Sequence, residues 1–136
     1  MSQENVELVR TICEPWERGD YSSVEWAHPE IEFVIADGPM PGSWKGLAEM
    51  ADGYREFLSS WEQVRTDAEE YRELGGGRVL VLVHTTGRGR ASGVELTEIS
   101  TSTAVLFQIR GGKVRRLVAY WDRARALADV GNAPDD

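Results

Sequence analysis

Acid and base groups able to work as a pair are few in this sequence, and the first pair to consider is His84 with Glu98. His84 closes the run Arg78-Val79-Leu80-Val81-Leu82-Val83-His84, and Glu98 lies on the following strand in the expected pairing region. Facing one cavity, an imidazole and a carboxylate could pass a proton near neutral pH. A strand histidine is more often simply half-buried structure. Trp16, Trp44, Trp61 and Trp121 come from four separate segments. Converging, they would form an aromatic pocket for a flat or polycyclic ligand; dispersed, they would fill a small core. Cys13 falls on an apolar stripe and reads as a buried thiol, not a nucleophile. The two histidines, His28 and His84, are too far apart for a metal set, so no metal is expected. Gly87-Arg88-Gly89-Arg90 lacks the spacing and the strand-to-helix turn of a dinucleotide loop. Its arginines could meet an anionic ligand, but a solvated hairpin is the better account of them.

The frame that must position these groups is one domain, residues 1–136, with a frayed tail from about 132 to 136. A chain of 136 residues can bury a core without disulfides or metal. Its net charge of -8 repels phosphate backbones and anionic lipid, which argues against nucleic acid and membrane as partners. A single cysteine rules out an intramolecular disulfide framework. The opening Met1-Ser2-Gln3-Glu4-Asn5 is polar and carries acid where a signal peptide carries base. The expectation is a reduced, cytoplasmic protein.

Hydrophobic rhythm divides the chain. Val6, Val9, Ile12, Cys13 and Trp16 form one helical stripe, predicting a helix from about Ser2 to Arg18. Pro15 should kink it or end it early. A short second helix is expected over Tyr21 to Trp26, stopped by Pro29. Glu30 to Ile35, including Phe33, reads as a strand entering the core, and Asp37 to Gly42 as a loop. Leu47, Met50, Tyr54, Phe57 and Trp61 fall on one face of the next helix. Gly53 within it implies either close packing or a ligand-facing wall. From Val64 the period becomes two. Strands are predicted over Val64 to Leu74, Arg78 to His84, Val94 to Ile109 and Lys113 to Trp121, with glycine turns between most of them. Leu117, Ala119 and Trp121 share one face of the last strand. A short final helix follows Asp122. Helices first and an antiparallel meander afterwards is an α+β layout, cone-shaped, with helices packed on a strongly curved antiparallel or mixed sheet.

Several short segments, in this order, carry a family likeness: Asn5 to Val9, Gly19-Asp20, His28 to Phe33, Trp44-Lys45-Gly46, Gly112-Lys113-Val114, and Tyr120 to Ala124 with Leu127 and Gly131. Nearly the whole chain resembles the nuclear-transport-factor-2-like superfamily, and within it the SnoaL-like branch. The resemblance implies a cone with a pocket for a small apolar or aromatic molecule and a homodimer formed through the sheet. It turns the face of Leu117, Ala119 and Trp121 inward.

The resemblance also implies site residues. In ketosteroid-isomerase-like members a carboxylate at the end of the first strand removes a proton beside a carbonyl, and Asp37-Gly38-Pro39 with Trp44-Lys45-Gly46 looks like that segment. An apolar cavity raises a carboxylate's pKa and suits it to act as a base. Asp37-Gly38 is equally ordinary turn chemistry. The oxyanion donors of those enzymes fall here near Ile12 and Thr103-Ala104, which supply no acidic donor. In SnoaL-like cyclases a late aspartate serves as acid and base, and Trp121-Asp122 is similar to that ending; an aspartate before a helix is also an N-cap. The combined expectation is a pocket of Trp16, Phe33, Trp44, Tyr54, Phe57, Trp61, Leu117, Ala119 and Trp121. Asp37, Asp122 and His84 are its catalytic candidates, and no cofactor is expected. The function is small-molecule binding, extending to isomerisation or cyclisation of a carbonyl compound, or else a non-catalytic binding or dimerisation module.

Overall fold

A computed structural model of the chain describes residues 2–18, 20, 25–37, 41–59, 61–89 and 98–131, with the side chains of 2, 57, 58, 61–64, 88, 89, 98–101 and 131 outside the description. Helix α1 spans Ser2–Glu17. Val9, Ile12, Cys13 and Trp16 of its stripe are buried, and Val6 packs partly against them. Pro15 lies inside the last turn, and the helix closes two residues later, the Pro15 carbonyl accepting the N–H groups of Arg18 at 3.0 Å and Asp20 at 2.9 Å. A proline this close to the C-terminus removes one helical bond and ends the helix early. Residues 21–24 of the expected second helix lie outside the described residues. Trp26 sits in a turn, and strand β1 spans Ala27–Ile35. Pro29 is therefore inside a strand, not the end of a helix. It falls where the β1 register shifts between Ala27 and Glu32, the kind of irregularity that tolerates a residue without an N–H.

The segment after the loop adds β2, Gly42–Lys45, which the sequence did not announce. Helix α2 is Leu47–Ser59, and β3 begins at Trp61, which opposes Gly89 of β4. Trp61 thus starts a strand instead of extending the helix face. Strands β3 (Trp61–Gly75), β4 (Arg78–Gly89), β5 (Glu98–Arg110) and β6 (Lys113–Tyr120) form the meander, and α3 spans Arg123–Gly131. Strand β4 runs further than expected, so Gly87 and Arg88 pair with Ile99 and Glu98 instead of looping out. Gly75, Gly76 and Gly77 all take positive φ, which glycine adopts without penalty. At Gly77 a Cβ would also lie 2.3 Å from the Ile109 carbonyl oxygen.

The six strands run in the order β2-β1-β6-β5-β4-β3. Neighbours are antiparallel except β1 and β6, which pair parallel through Phe33–Leu117 and Ile35–Ala119. The sheet is mixed, and the whole is an α+β cone. Its two faces carry different cores. Helices α1 and α2 cover the inner face, where Ile31, Phe33, Val79, Val81, Val83, Phe107 and Leu117 are buried. On the outer face Leu80, Leu82, Val118 and Tyr120 are buried with Ala126 of α3. Each such Leu, Val or Phe contributes about 1.5–3 kcal/mol by leaving water. Among the described residues no helix is long and apolar enough to cross a membrane.

Candidate functional site

The inner face is not filled. Between it and the helices lies a cavity of about 90 Å³, well above the ~10–15 Å³ one water requires. It is partly open to solvent. Aromatic groups hold two of its walls. On one side Trp16 of α1 stacks on Phe107 at 6.0 Å between ring centroids and meets Trp26 edge-on at 6.3 Å. On the other, Phe33 of β1 stacks on Tyr54 of α2 at 4.6 Å and on Trp44 of β2 at 5.4 Å. Leu117 and Ala119 of β6, with Trp121 just after it, form the wall beside Ile35. Val83, Thr85, Thr103, Val105 and Thr66 supply the wall of β3 to β5.

The predicted lining is thus brought together at Trp16, Phe33, Tyr54, Leu117, Ala119 and Trp121. Trp44 does not reach the cavity. It lies flat over Gly53, where a Cβ would come within 2.6 Å of its indole Cδ2, and so braces Phe33 through close packing of α2 on β2. The side chains of Phe57 and Trp61 lie outside the described residues.

No carboxylate or histidine is among the described lining residues. Asp37 is half-buried just past β1, and its carboxylate accepts the backbone N–H groups of Trp121 at 2.6 Å and Asp122 at 3.3 Å. Beside it the Ala36 N–H donates to the Ala119 carbonyl at 2.9 Å. Asp37 therefore ties the ends of β1 and β6 together and fixes Trp121 at the cavity. Asp122 is exposed, and its carboxylate accepts the N–H of Ala124 at 3.0 Å and of Arg125 at 3.4 Å, an N-cap of α3. His84 alternates with Val83 and Thr85, so it shares the outer face with Leu80 and Leu82. It opposes Ser102, whereas Glu98 opposes Arg88, so His84 and Glu98 do not stand opposite each other in the ladder. The register separates them by four residue pairs, roughly 13 Å at 3.3 Å per residue.

Three threonines of the lining, Thr66, Thr85 and Thr103, are all under 10% exposed; sequence reasoning marked Thr103 only as a position without an acidic donor, and missed Thr66, Thr85 and Arg123. Thr85 Oγ1 and Thr103 Oγ1 share a hydrogen bond of 2.9 Å. The guanidinium of Arg123 donates to the carbonyls of Val83 at 2.7 Å and Thr103 at 3.2 Å, and to the carboxylate of Glu69. That contact holds the Glu69 carboxyl below the usual carboxylate range. Through it α3 grips β3, β4 and β5 directly behind the threonine wall. A signal for the threonines was present in the two-residue rhythm, since Thr85 continues Val79-Val81-Val83, and Thr103 leads into Val105-Phe107. Arg123 gave none.

Burial shifts other groups as well. It pushes the Tyr120 phenol up, and that hydroxyl donates to Asp129 of α3 at 3.1 Å. It also pushes the Cys13 thiol up to about 12, so Cys13 is an inert core group. No cluster of three metal-ligating side chains occurs among the described residues.

A cone of helices on a curved mixed sheet, with an apolar cavity on the inner face, defines a class of small-molecule-pocket folds. The model of the SnoaL-like domain matches residues 9–117, and the chain belongs to that family. Its fold matches a candidate SnoaL-like polyketide cyclase from Jannaschia sp. CCS1, with a TM-score of 0.74 and 15% identity over 98% of this chain and 95% of that one. It also matches TerC co-crystallised with polyporic acid, with a TM-score of 0.72 and 19% identity over 95% of this chain and 99% of that one. A third match is a ketosteroid-isomerase-like protein from Catenulispora acidiphila DSM 44928 in complex with trimethylamine, with a TM-score of 0.69 and 16% identity over 96% of this chain and 95% of that one. At these identities the likeness is one of fold. No match is found among curated proteins.

Proposed function

We propose that this SnoaL-like chain binds a small, largely apolar molecule, with at most one or two rings, in the inner-face cavity. The carrying observation is the cavity itself, partly open to solvent and walled by Trp16, Phe33, Tyr54, Leu117 and Trp121. At about 90 Å³ it is smaller than the ~150 Å³ engineered cavity that admits benzene, so part of a ring must stay in the mouth. Similar folds crystallised with polyporic acid and with trimethylamine support the reading.

A second reading adds acid/base catalysis on a carbonyl compound, as in a cyclase or isomerase. It is favoured by the tie between the Asp37 carboxylate and the backbone of Trp121, which puts an acid beside a lining residue. Asp122 and His84 have weaker standing in it, one being an exposed cap and the other lying on the outer face. The homodimer through the sheet belongs to the same proposal, and the half-buried Val34 and Leu106 offer it apolar ground on the outer face.

One experiment separates these readings. Titration of single-ring compounds, followed by tryptophan fluorescence, should show saturable binding that Ala119→Leu abolishes by filling the cavity. Equal binding by that variant would remove the cavity assignment. Asp37→Asn should retain binding, and under the catalytic reading it lowers turnover of a carbonyl substrate by about 10²–10⁴-fold. Undiminished turnover leaves Asp37 as a backbone tie only.

A further inference from the structure

The cavity has one polar feature that binding of a purely apolar molecule does not need. Thr66, Thr85 and Thr103 stand on three adjacent strands and all face the lining. Thr66 directly opposes Thr85, and Thr85 bonds to Thr103 across the next strand pair. Valine has nearly the same shape and β preference, yet three hydroxyls stand here at under 10% exposure. A buried hydroxyl costs free energy unless it is hydrogen-bonded.

Proton counting shows what the row can do. The Thr85 and Thr103 hydroxyls have two protons, and their mutual bond of 2.9 Å consumes one. The second proton and the remaining lone pairs suit an oxygen on a ligand, as acceptor or as hydroxyl. The described lining holds no arginine, lysine or histidine to balance an anion, and the Tyr120 hydroxyl is engaged with Asp129. A buried carboxylate would face neutral hydroxyls alone, at high cost.

We infer that this threonine row is a specificity element, selecting an uncharged ligand with one ring-borne oxygen, a ketone or phenol-type group, over a hydrocarbon or a carboxylate. The inference rests on the cavity-binding reading above.

The test uses three single-ring probes, toluene, acetophenone and benzoate, with dissociation constants measured calorimetrically for wild type, Thr103→Ser and the double variant Thr85→Val/Thr103→Val. Comparing proteins for one probe cancels that probe's own desolvation. In the double variant the acetophenone constant should rise about threefold to tenfold, the worth of one hydrogen bond, while that of toluene does not rise. Thr103→Ser keeps a hydroxyl and should bind acetophenone like wild type, which guards against a double variant that fails to fold. Benzoate should bind wild type most weakly. The inference is overturned if acetophenone is unaffected, if toluene and acetophenone weaken equally, if Thr103→Ser loses the preference, or if benzoate binds best. Binding of both toluene and acetophenone with no threonine dependence in either defeats the inference and leaves the cavity reading standing. Binding of none of the probes defeats both.

Discussion

Cys13 shows how a single buried group ties stability to pH. Its side chain is 1% exposed on the inner stripe of α1, and burial is the main reason the thiol moves from an ordinary value of 9.0 up to about 12. The Tyr71 hydroxyl bonds to it and offsets part of that rise, while the Glu17 carboxylate adds to it. Tyr71 is itself pushed up by burial and lies beneath the Arg10 guanidinium, 4.7 Å from its ring centroid. A raised folded-state pKa means the native state holds the proton that the unfolded chain gives up. Stability is complete below about pH 9 and declines as pH climbs toward 12. Three units correspond to roughly 4 kcal/mol as an upper bound. Urea denaturation at pH 8 and pH 11 should show this loss, and Cys13→Ala should reduce it. Tyr120, also raised, contributes in the same direction at the alkaline end.

Between elements, α2 joins β2 closely, the Trp44 ring lying against the Gly53 backbone. Alanine at position 53 would gain up to about 1 kcal/mol of helix propensity. Its methyl would stand 2.6 Å from indole Cδ2, and forcing the ring aside costs about 1–3 kcal/mol. Gly53→Ala should therefore lower the thermal midpoint and, by displacing the partner of Phe33, weaken ligand binding; a raised midpoint would contradict the packing. This join explains what was readable in advance. The glycine inside a helical pattern signalled a close contact, but its partner Trp44 sits on a four-residue strand too short to show a two-residue rhythm. The α1 and α2 stripes and the glycine hairpins were legible because each is a local pattern. The face of His84 was not. Val79, Val81 and Val83 alternate with Leu80 and Leu82, so both faces of β4 read as apolar, and only the docking of α1, α2 and α3 decides which is inner. Asp37 and Asp122 were legible as polar groups near one end, yet their carboxylates serve backbone N–H groups contributed by distant or following residues.

For the molecule as a whole, the outer sheet face is the surface on which the proposed dimer would form. Leu80, Leu106, Val118 and Val34 stand in one row across β4, β5, β6 and β1, and Leu106 and Val34 remain partly exposed. If the proposed dimer uses this row, Leu106→Glu should convert it to monomer by sedimentation equilibrium while leaving cavity binding intact. A wild-type monomer at micromolar concentration, or an undisturbed dimer in the variant, would argue against that surface. The parallel pairing of β1 with β6 has a kinetic consequence. The first strand synthesised finds its inner neighbour only in the last, so loop-closure entropy for most of the chain must be spent before the sheet zips shut. Nascent chains on the ribosome would wait, incomplete, with the aromatic lining uncovered, and a bound small molecule could act only on the finished fold, slowing its opening and not speeding its assembly.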